Sequence, residues 1–197
     1  IAVIGYNDVA SNSAHYQQAH DVGRLLVERG YRLLSGGMGG VMEAASQGAR
    51  TAHNHSSGDV IAVLPGHSMD DATPYADVVI PSGLGFTRNV IIAHADAVIA
   101  VGGDGTINGV LNSLPDNPPP FGVIPSGTGN ALAKEVRLPE DPEFMARVLR
   151  EGKPTPWDYG VERNHDKRFL MFFSVGYDAF VVNDFHAWRK GNIHQWQ

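Results

Sequence analysis

The 197-residue chain contains no cysteine. This absence excludes disulfides, thiolate nucleophiles and cysteine-ligated metal sites, and it suits a reducing compartment. No apolar run approaches the ~20 residues that cross a bilayer, and no charged leader precedes an apolar signal segment. The formal net charge is −6, which argues against a nucleic-acid partner because such proteins usually present a basic face. We therefore expect a cytoplasmic protein that does not bind nucleic acid.

Hydrophobic residues make up 43% of the chain and charged residues 18%, a balance typical of a globular domain. Short runs rich in Val and Ile alternate with longer segments of helical period, and most runs end in glycine. This alternation predicts an α/β fold with a Rossmann-like, doubly wound, mainly parallel sheet over residues 1–152. The predicted strands are residues 1–4, 31–34, 60–64, 78–80, 97–101 and 121–124. The predicted helices are residues 13–29, 41–52, 86–94, 106–114, 129–136 and 142–150.

The character of the sequence changes after Lys153, where turn residues around Asn164 and Asp166 stand between strand-forming residues. This pattern predicts a hairpin rather than another βα unit. We place a domain boundary near Gly152 and expect residues 153–197 to be the start of a β-rich second domain, because about 45 residues are too few for an independent core. Since Ile1 already lies in a predicted strand, we also expect the native chain to extend beyond both ends.

The first glycine loop is residues 35–40, SGGMGG, which follows the second predicted strand and opens a helix. Backbone N–H groups and the positive end of a helix converge at such a turn and can hold a phosphate, and glycine leaves room for its approach. A glycine-rich turn is also an ordinary way to connect a strand to a helix. The candidate phosphate-binding residues of this loop are Gly36, Gly37, Gly39 and Gly40.

Two further glycine loops follow strands later in the chain. Residues 102–106, GGDGT, add a carboxylate, and Asp104 either caps a helix or, as we favour, holds Mg²⁺ beside phosphate oxygens. Residues 126–130, SGTGN, add hydroxyl and amide donors. Because the carboxyl ends of parallel strands face one crevice, we expect all three loops to line a single nucleotide site. The candidates in these two loops are Gly102, Gly103, Gly105, Thr106, Ser126, Gly127, Thr128, Gly129 and Asn130.

The segments GGDGTINGVLNSL, FGVIPSGTGNALAKEV and SVGYDAFVV, in this order and spacing, resemble the diacylglycerol kinase catalytic family, which includes sphingosine kinases. The resemblance covers residues 96–197. It implies ATP and Mg²⁺ as cofactors and a lipid hydroxyl, presented at a membrane surface, as phosphoryl acceptor. It also implies that GGDGT lines the nucleotide phosphates, with Asp104 as a catalytic and metal-binding carboxylate, and that SGTGN completes the crevice.

The general base of such a kinase is expected in an acidic motif that lies beyond residue 197. Within this chain the nearest matching carboxylate is Asp178, in the GYDA segment, and it is the second candidate catalytic residue. The alternative for Asp178 is an ordinary aspartate at a turn or at the end of a strand.

The segments IAVIGYND, VGRLLVERGYRLLSGGMGGVMEAASQGAR, IAVLPG and PYADVVIPSGLGFTRNVIIAHADAVIAVGG resemble a second family, the LOG-like nucleotide-binding proteins once labelled lysine decarboxylases. This resemblance covers nearly all residues up to 103. It implies a Rossmann-like fold in which residues 36–40 cradle a phosphate and Arg88 approaches it. Members that hydrolyse nucleoside monophosphates need a glutamate where this chain has Gly109, and the lipid kinases usually carry glutamate there as well.

Three functional hypotheses follow, and the third is a catalytically silent scaffold. The leading hypothesis is an ATP- and Mg²⁺-dependent lipid kinase-like protein, and the alternative is a LOG-like protein that binds nucleoside monophosphates without kinase activity. The two resemblances meet at residues 101–103, which predicts a hybrid whose LOG-like front supplies the first strands of a kinase-like sheet. The aromatic tail, residues 180–196, is interpreted either as a lipid contact or as an element without its packing partner. The oligomeric state is left open, a homo-oligomer included.

Overall fold

Six Val- and Ile-rich segments form one sheet in the computed structural model, which describes residues 1–171 and 173–188. Every neighbouring pair of strands in this sheet is parallel, as the βα pattern predicts. The strands begin and end within two residues of the predicted bounds. They are β1 (Ala2–Gly5), β2 (Leu33–Ser35), β3 (Val60–Leu64), β4 (Val78–Pro81), β5 (Val98–Gly102) and β6 (Phe121–Pro125).

Helices connect most of the strands, and two of the longer ones begin at a side-chain cap. They are α1 (Ala14–Glu28), α2 (Val41–Thr51), α3 (Asn89–Ile92), α4 (Asp104–Leu111), α5 (Ala131–Glu135), α6 (Pro142–Glu151) and α7 (Tyr177–Trp188). A 3-10 turn, Gly85–Arg88, leads directly into α3. The Ser13 hydroxyl caps α1 by accepting a hydrogen bond from the Tyr16 N–H at 3.1 Å, and the Asp141 carboxylate caps α6 in the same way.

The strand order is β4-β3-β2-β1-β5-β6, which places β1 in the middle of the sheet. The chain builds outward from β1 through β2, β3 and β4, and then returns to the other side of β1 for β5 and β6. At such a reversal the flanking connections leave on opposite faces, and a crevice opens at the carboxyl ends of the strands. The fold is therefore the expected Rossmann-like, doubly wound α/β sheet, with its crevice between the ends of β1 and β5.

A different set of helices buries each face of the sheet. The first face packs against α1, α2 and α6 through a cluster that includes Val3, Leu26 and Met145. The second face packs against α3 and α4 through a cluster that includes Val63, Ile92 and Val110. A fully buried side chain of this size stabilises the fold by ~1.5–3 kcal/mol, so these two clusters hold the loops at the sheet edge in fixed positions.

The predicted hairpin is present as β7 (Gly160–Glu162) and β8 (Lys167–Phe169), which pair in antiparallel fashion. It docks on the end of α4, where the Asn112 side chain accepts a hydrogen bond from the Arg168 N–H and donates one to the Arg168 carbonyl, both at 2.9 Å. The helix α7 follows the hairpin, inside the region that is predicted to begin a β-rich domain. The domain boundary near Gly152 stays a prediction, and residues 189–197 of the aromatic tail lie outside the described residues.

Candidate functional site

The three glycine loops lie along one edge of the sheet, as the strand ends predict. Ser35 ends β2, Gly102 ends β5 and Pro125 ends β6, and each of these strands leads into one of the loops. Gly102 and Pro125 are partners in the register of β5 and β6, which holds the second and third loops side by side. The loops therefore share the crevice that opens beside β1.

The first glycine loop turns tightly from β2 into α2. Gly37 and Gly40 have φ angles of +67° and +63°, a left-handed region that favours glycine. The hydroxyl of buried Ser35 accepts a hydrogen bond from the Gly37 N–H at 3.1 Å, which closes the turn. A Cβ at Gly40 would lie 2.3 Å from the carbonyl oxygen of Tyr6, so only glycine lets this loop press against the segment that follows β1.

The backbone N–H groups of this loop are available to a ligand. Those of Met38, Gly39 and Gly40 form no hydrogen bond with any residue in the part of the chain that the structure describes. The helix α2 begins at Gly40 without a side-chain cap, and the acidic side chain in its first turn, Glu43, offsets part of the positive end of its dipole. Free N–H groups at a helix start are the arrangement with which proteins hold phosphate.

Arg88 is buried beside this loop although it carries a charge. It is only 6% exposed, its Nη2 donates to the Gly36 carbonyl oxygen at 3.4 Å, and its Nη1 donates to the Asn89 side chain. Among residues 1–171 and 173–188, no carboxylate forms an ion pair with Arg88, and its buried Nε has no hydrogen-bond partner. Burial lowers the pKa of Arg88, yet arginine keeps its charge at neutral pH. Because a buried, unpaired charge is costly, its retention here points to an anionic ligand.

The second and third glycine loops pack directly against each other. Gly103 and Gly127 meet backbone to backbone, so a Cβ on Gly127 would lie 2.3 Å from the Gly103 Cα. The Asn130 side chain closes the third loop, accepting a hydrogen bond from the Gly127 N–H at 2.9 Å and donating one to the Gly127 carbonyl at 2.7 Å. The GGDGT and SGTGN motifs therefore pack together as one unit.

The carboxylate of Asp104 lies at the start of α5. Its Oδ2 accepts a hydrogen bond from the Ala131 N–H at 2.9 Å, and its Oδ1 accepts one from the Leu132 N–H at 3.1 Å. Of the two roles that the sequence left open, the structure displays the capping role, and the capped helix is the one after the third loop. Each carboxylate oxygen keeps a further lone pair, so the metal-binding role of Asp104 stays a prediction.

The surroundings of Asp104 limit what a metal ion could use there. Within the described ranges, no group of three or more His, Asp and Glu side chains is arranged to hold a metal. Mg²⁺ commonly binds through one or two carboxylates together with substrate phosphates and water. The residues present at Asp104 thus fit Mg²⁺ only when a nucleotide supplies most of its ligands.

The other candidate site residues are partly packed between the second and third loops and partly exposed to solvent. Thr106 packs against Gly102, where a Cβ would lie 2.3 Å from its Oγ1, and the Ser126 N–H donates to the Gly102 carbonyl at 3.1 Å. Gly105, Thr128 and Gly129 are exposed at the loop surfaces. Asp178 is exposed in the first turn of α7, and its catalytic role stays a prediction.

A small cleft of about 190 Å³ opens between α4 and the hairpin, lined by Asp104, Ile107, Asn108, Leu170 and Met171. Pockets that enclose a small molecule usually exceed ~300 Å³, so this cleft is too small to enclose a whole nucleotide. The exposed edge of α4 also carries Gly109, where a Cβ would meet nothing within 4 Å.

Two crevice residues, Tyr6 and Thr73, were not predicted. The Tyr6 carbonyl accepts a hydrogen bond from the Val41 N–H at 2.9 Å, and its phenol oxygen lies 3.7 Å from the place of a Cβ on Gly105, so Tyr6 spans the first two loops. Buried Thr73 donates its N–H to the Gly37 carbonyl at 2.7 Å. The position of Tyr6 directly after β1 was a usable signal, since ligands bind where the strand order reverses, whereas no pattern marks Thr73.

A family model described as LDcluster4, the SLOG cluster4 family, matches residues 1–134 of the chain. The chain belongs to this family. The matched range extends past residues 101–103, where the two sequence resemblances meet. The SLOG cluster4 match therefore includes the first glycine loop, Arg88 and both of the later loops.

Curated relatives divide between an uncharacterized protein and lipid kinases. The SLOG cluster4 chain is 41% identical to an uncharacterized protein of Archaeoglobus fulgidus over 116 residues, which are 58% of this chain and 72% of that protein. It is 29% identical to a diacylglycerol kinase of Mycobacterium tuberculosis over 153 residues, 74% of this chain and 44% of the kinase. With a diacylglycerol kinase of Staphylococcus aureus it shares 41% identity over 83 residues, 41% of this chain and 25% of the kinase. The chain thus spans less than half the length of these kinases.

Two solved structures share the fold of the SLOG cluster4 chain. The molybdenum cofactor binding protein of Rippkaea orientalis is 29% identical, with a TM-score of 0.62 over 76% of this chain and 93% of that one. The molybdenum cofactor carrier protein of Chlamydomonas reinhardtii is 24% identical, with a TM-score of 0.61 over 76% of this chain and 95% of that one, and shows the fold alone. In the described part of the chain, no helix has the length and apolar character needed to span a membrane.

Proposed function

We propose that this SLOG cluster4 protein binds a nucleoside monophosphate at the carboxyl edge of its sheet and has no kinase activity. The phosphate is held between Arg88 and the backbone N–H groups of the first glycine loop, residues 36–40. The observation that carries the proposal is the buried guanidinium of Arg88, which lies against Gly36 and has no carboxylate partner among the described residues.

The electrostatics of this corner suit a phosphate. A guanidinium presents N–H donors in a planar fork that matches two phosphate oxygens, and such charge-assisted pairs are about twice as strong as neutral hydrogen bonds. The Nε of Arg88 is the donor that still has no acceptor, and the uncapped start of α2 adds the positive end of a helix dipole. A bound phosphate would satisfy both at once.

Two neighbouring side chains favour a nucleotide over inorganic phosphate. Glu43, in the first turn of α2, has its Oε2 3.9 Å from the place of a Cβ on Gly39, so it reaches the loop. A carboxylate in this position can accept hydrogen bonds from ribose hydroxyls. Its charge also opposes a phosphate at the loop, and the guanidinium of Arg88 has to offset that repulsion. Tyr6 is 57% exposed beside the same loop and offers an aromatic face on which a base can stack.

Two features favour a monophosphate that is bound and not cleaved. The start of α5, which a longer polyphosphate could otherwise approach, is already occupied by the Asp104 carboxylate. Gly109 stands where the hydrolysing members of the LOG-like proteins need a glutamate. The proposal is therefore a binding function, without hydrolysis of the ligand.

Calorimetric titration with AMP tests the proposal. Losing a hydrogen-bonded charge contact costs about 1.5–3 kcal/mol, so Arg88→Met should weaken AMP binding by roughly tenfold to a hundredfold. The control is Arg163→Met, which removes an exposed arginine of the hairpin. Arg88→Met also removes a buried charge, so we expect it to fold at least as stably as the wild type, which keeps the binding measurement interpretable.

Three results of this titration would decide against the proposal. They are no AMP binding by the wild type, equal binding by Arg88→Met, and equal affinity for AMP and inorganic phosphate. The molybdenum cofactor is included as a competing ligand, because the Rippkaea orientalis protein of that name is 29% identical. Tighter binding of that cofactor than of AMP would also overturn the proposed ligand.

A second candidate function is an ATP- and Mg²⁺-dependent lipid kinase. It is supported by the 41% identity over 83 residues to a Staphylococcus aureus diacylglycerol kinase. In this candidate Asp104 holds Mg²⁺, which neutralises phosphate charge, and the linked second and third loops hold the phosphates of ATP. The acceptor is a lipid hydroxyl at a membrane surface.

Titration with ATP in the presence and absence of Mg²⁺ tests the kinase candidate. Asp104→Asn should abolish the Mg²⁺-dependent part of ATP binding, whereas Asp158→Asn, at an exposed carboxylate, should leave it intact. Unchanged ATP binding by Asp104→Asn, or no dependence on Mg²⁺ in the wild type, removes this candidate.

A further inference from the structure

The connection between β3 and β4, residues 65–77, is joined to the first glycine loop by a backbone hydrogen bond. The N–H of Thr73 donates to the carbonyl oxygen of Gly37 at 2.7 Å. Thr73 is only 6% exposed, and a hydrogen bond in such surroundings is strengthened because water does not compete for it. The position of the Gly37 carbonyl therefore depends on where the connection holds Thr73.

This hydrogen bond sets the direction of a donor that the proposed phosphate site uses. The carbonyl of Gly37 and the N–H of Met38 belong to one planar trans peptide and point in opposite directions. A carbonyl held toward Thr73 keeps the Met38 N–H on the far side of the loop, where it has no partner among the described residues. Gly37 has a φ of +67°, and because glycine accepts either sign of φ, this peptide could rotate if its carbonyl were released.

Thr73 is itself held in a turn that contains Tyr75. The Thr73 carbonyl accepts a hydrogen bond from the Ala76 N–H at 3.3 Å, which closes the turn over residues 73–76. The phenol oxygen of Tyr75 accepts a hydrogen bond from the Nε2 of Gln47, a residue of α2, at 3.1 Å. A side chain from outside the connection thus ties the turn to α2.

The other end of the Gln47 amide is bonded to α1. Its Oε1 accepts a hydrogen bond from the Tyr16 hydroxyl at 3.0 Å. Tyr16 is 9% exposed, and its backbone N–H is bonded to the cap residue Ser13, so its side chain starts from a fixed point of the helix. Both ends of the amide are therefore engaged, and Gln47 holds Tyr75 at a defined place.

We propose that Gln47 is a positioning residue of the nucleotide site, which acts through Tyr75 and Thr73 on the Met38 N–H. Gln47 lies about two helical turns, or about 10 Å, beyond the start of α2 at Gly40. Its amide is already bonded to two tyrosines, so it acts on a phosphate through this relay and not by contact. The inference rests on the proposed function, to which it adds the contacts that orient one of the phosphate donors.

Hydrogen exchange of the free full chain tests the relay without a ligand. Gln47→Leu keeps the approximate volume of the side chain but removes both hydrogen bonds. The Thr73 N–H should then exchange at least about fivefold faster relative to the Ile99 N–H in buried β5, a reference that cancels a general loss of stability. Gln17→Leu, at an exposed glutamine of α1, is the matched control and should leave this ratio unchanged.

A conservative variant separates hydrogen bonding from packing at this position. Gln47→Glu should keep the wild-type protection of the Thr73 N–H, because a carboxylate accepts hydrogen bonds from both tyrosine hydroxyls. Loss of protection in Gln47→Glu equal to that in Gln47→Leu would contradict a relay of hydrogen bonds.

Calorimetric titration with AMP tests the consequence for the ligand. Gln47→Leu and Tyr75→Phe should each weaken AMP binding about fivefold to tenfold, the value of roughly one net hydrogen bond, whereas Gln17→Leu should bind like the wild type. The two losses should not add in the double variant, since both changes break the same contact. Tyr75→Phe removes one oxygen from a half-buried side chain, so it keeps the test valid if Gln47→Leu folds poorly.

The outcomes distinguish this inference from the proposed function. No AMP binding by the wild type overturns the proposed function and the role of Gln47 with it. AMP binding by the wild type, with equal affinity in Gln47→Leu and Tyr75→Phe, overturns the role of Gln47 alone. Unchanged exchange of the Thr73 N–H in Gln47→Leu also overturns it, because the relay would then not hold the Gly37 carbonyl.

Discussion

The carboxylate of Asp104 accepts a hydrogen bond of 2.9 Å from the backbone N–H of Ala131, 27 residues further along the chain. This contact joins the second glycine loop to the helix that follows the third, and the close approach of Gly103 to Gly127 reinforces it. The motif that most strongly resembles a kinase therefore has a structural task in this fold. A test of phosphate binding by GGDGT therefore has to be separate from a test of its contribution to stability.

The stability of the α5 cap gives the first prediction. Asp104→Ala removes both acceptors from the start of α5, and we expect the free energy of unfolding to fall by about 2 kcal/mol, as for the loss of a strong cap. Urea unfolding measures this change. Asp158→Ala, at an exposed carboxylate, should change the free energy of unfolding by less than about 0.5 kcal/mol. A fully stable Asp104→Ala would mean that the carboxylate does not hold the two loops together.

Two glycine substitutions should act in opposite directions. Gly127→Ala forces a Cβ against the Gly103 backbone, and we expect it to destabilise the fold by about 1–3 kcal/mol. Gly109→Ala adds a Cβ that meets nothing within 4 Å on an exposed helix, and it should stabilise the fold by about 0.5–1 kcal/mol. Thermal unfolding of the pair checks both signs, and a stable Gly127→Ala would show that the two loops are not in contact.

A methyl group added to the first glycine loop should weaken ligand binding more than it weakens the stability of the fold. A Cβ at Gly36 would lie 2.4 Å from the Arg88 Nη2 and 2.6 Å from the Met42 Sδ, which are the ends of two long side chains. Both side chains should shift, with the guanidinium displaced, while the fold persists. We expect Gly36→Ala to weaken AMP binding at least about fivefold, by displacing a charged donor. Gly66→Ala, whose Cβ would be 3.5 Å from its nearest neighbour, is the control for calorimetry. Equal AMP affinity in the two variants would contradict a phosphate at Arg88.

Acid should destabilise the fold through Asp77, whose side chain is buried directly before β4. Its carboxylate accepts hydrogen bonds from the His55 Nε2 at 2.9 Å and the Val60 N–H at 3.0 Å, and it pairs with Arg50. Burial alone would raise the pKa of Asp77, but these partners together lower it below its ordinary value. The group therefore stabilises the native state above the unfolded pKa of about 3.9, and this contribution is lost as the pH falls through the lower folded pKa.

Urea unfolding between pH 7 and pH 2 measures the contribution of Asp77. The wild type should lose more stability over this range than Asp77→Asn, which has no carboxylate to protonate at this position. Parallel pH profiles for the two proteins would show that the buried cluster does not control the acid response.

The periodicity of the sequence predicted the sheet well because buried parallel strands are short apolar runs that end in glycine. Each of the six strands was found within two residues of its predicted bounds. The family resemblance implies that Arg88 approaches a phosphate held by residues 36–40. The structure has Arg88 beside Gly36, and the phosphate-binding role of Arg88 stays a prediction. Periodicity reports which side of a segment is buried, and this local information was sufficient for the fold.

Features that depend on contacts between distant segments could not be predicted in this way. The cap of α5 by Asp104 and the hydrogen bond from Thr73 to Gly37 each need the tertiary arrangement. The helix α7 lies inside the region predicted to be β-rich, because the strand preference of its Val and Phe residues is weak and depends on context. The sequence therefore predicted where the loops lie better than it predicted the hydrogen bonds that join them.

A crystal structure of the chain bound to AMP tests the central claim most directly. The account predicts the phosphate at Arg88, with guanidinium-to-oxygen distances of about 2.7–2.9 Å and further hydrogen bonds from the N–H groups of Met38, Gly39 and Gly40. A phosphate held instead by residues 126–130, with the Asp104 carboxylate displaced from the start of α5 and Arg88 still without an acceptor, would contradict it.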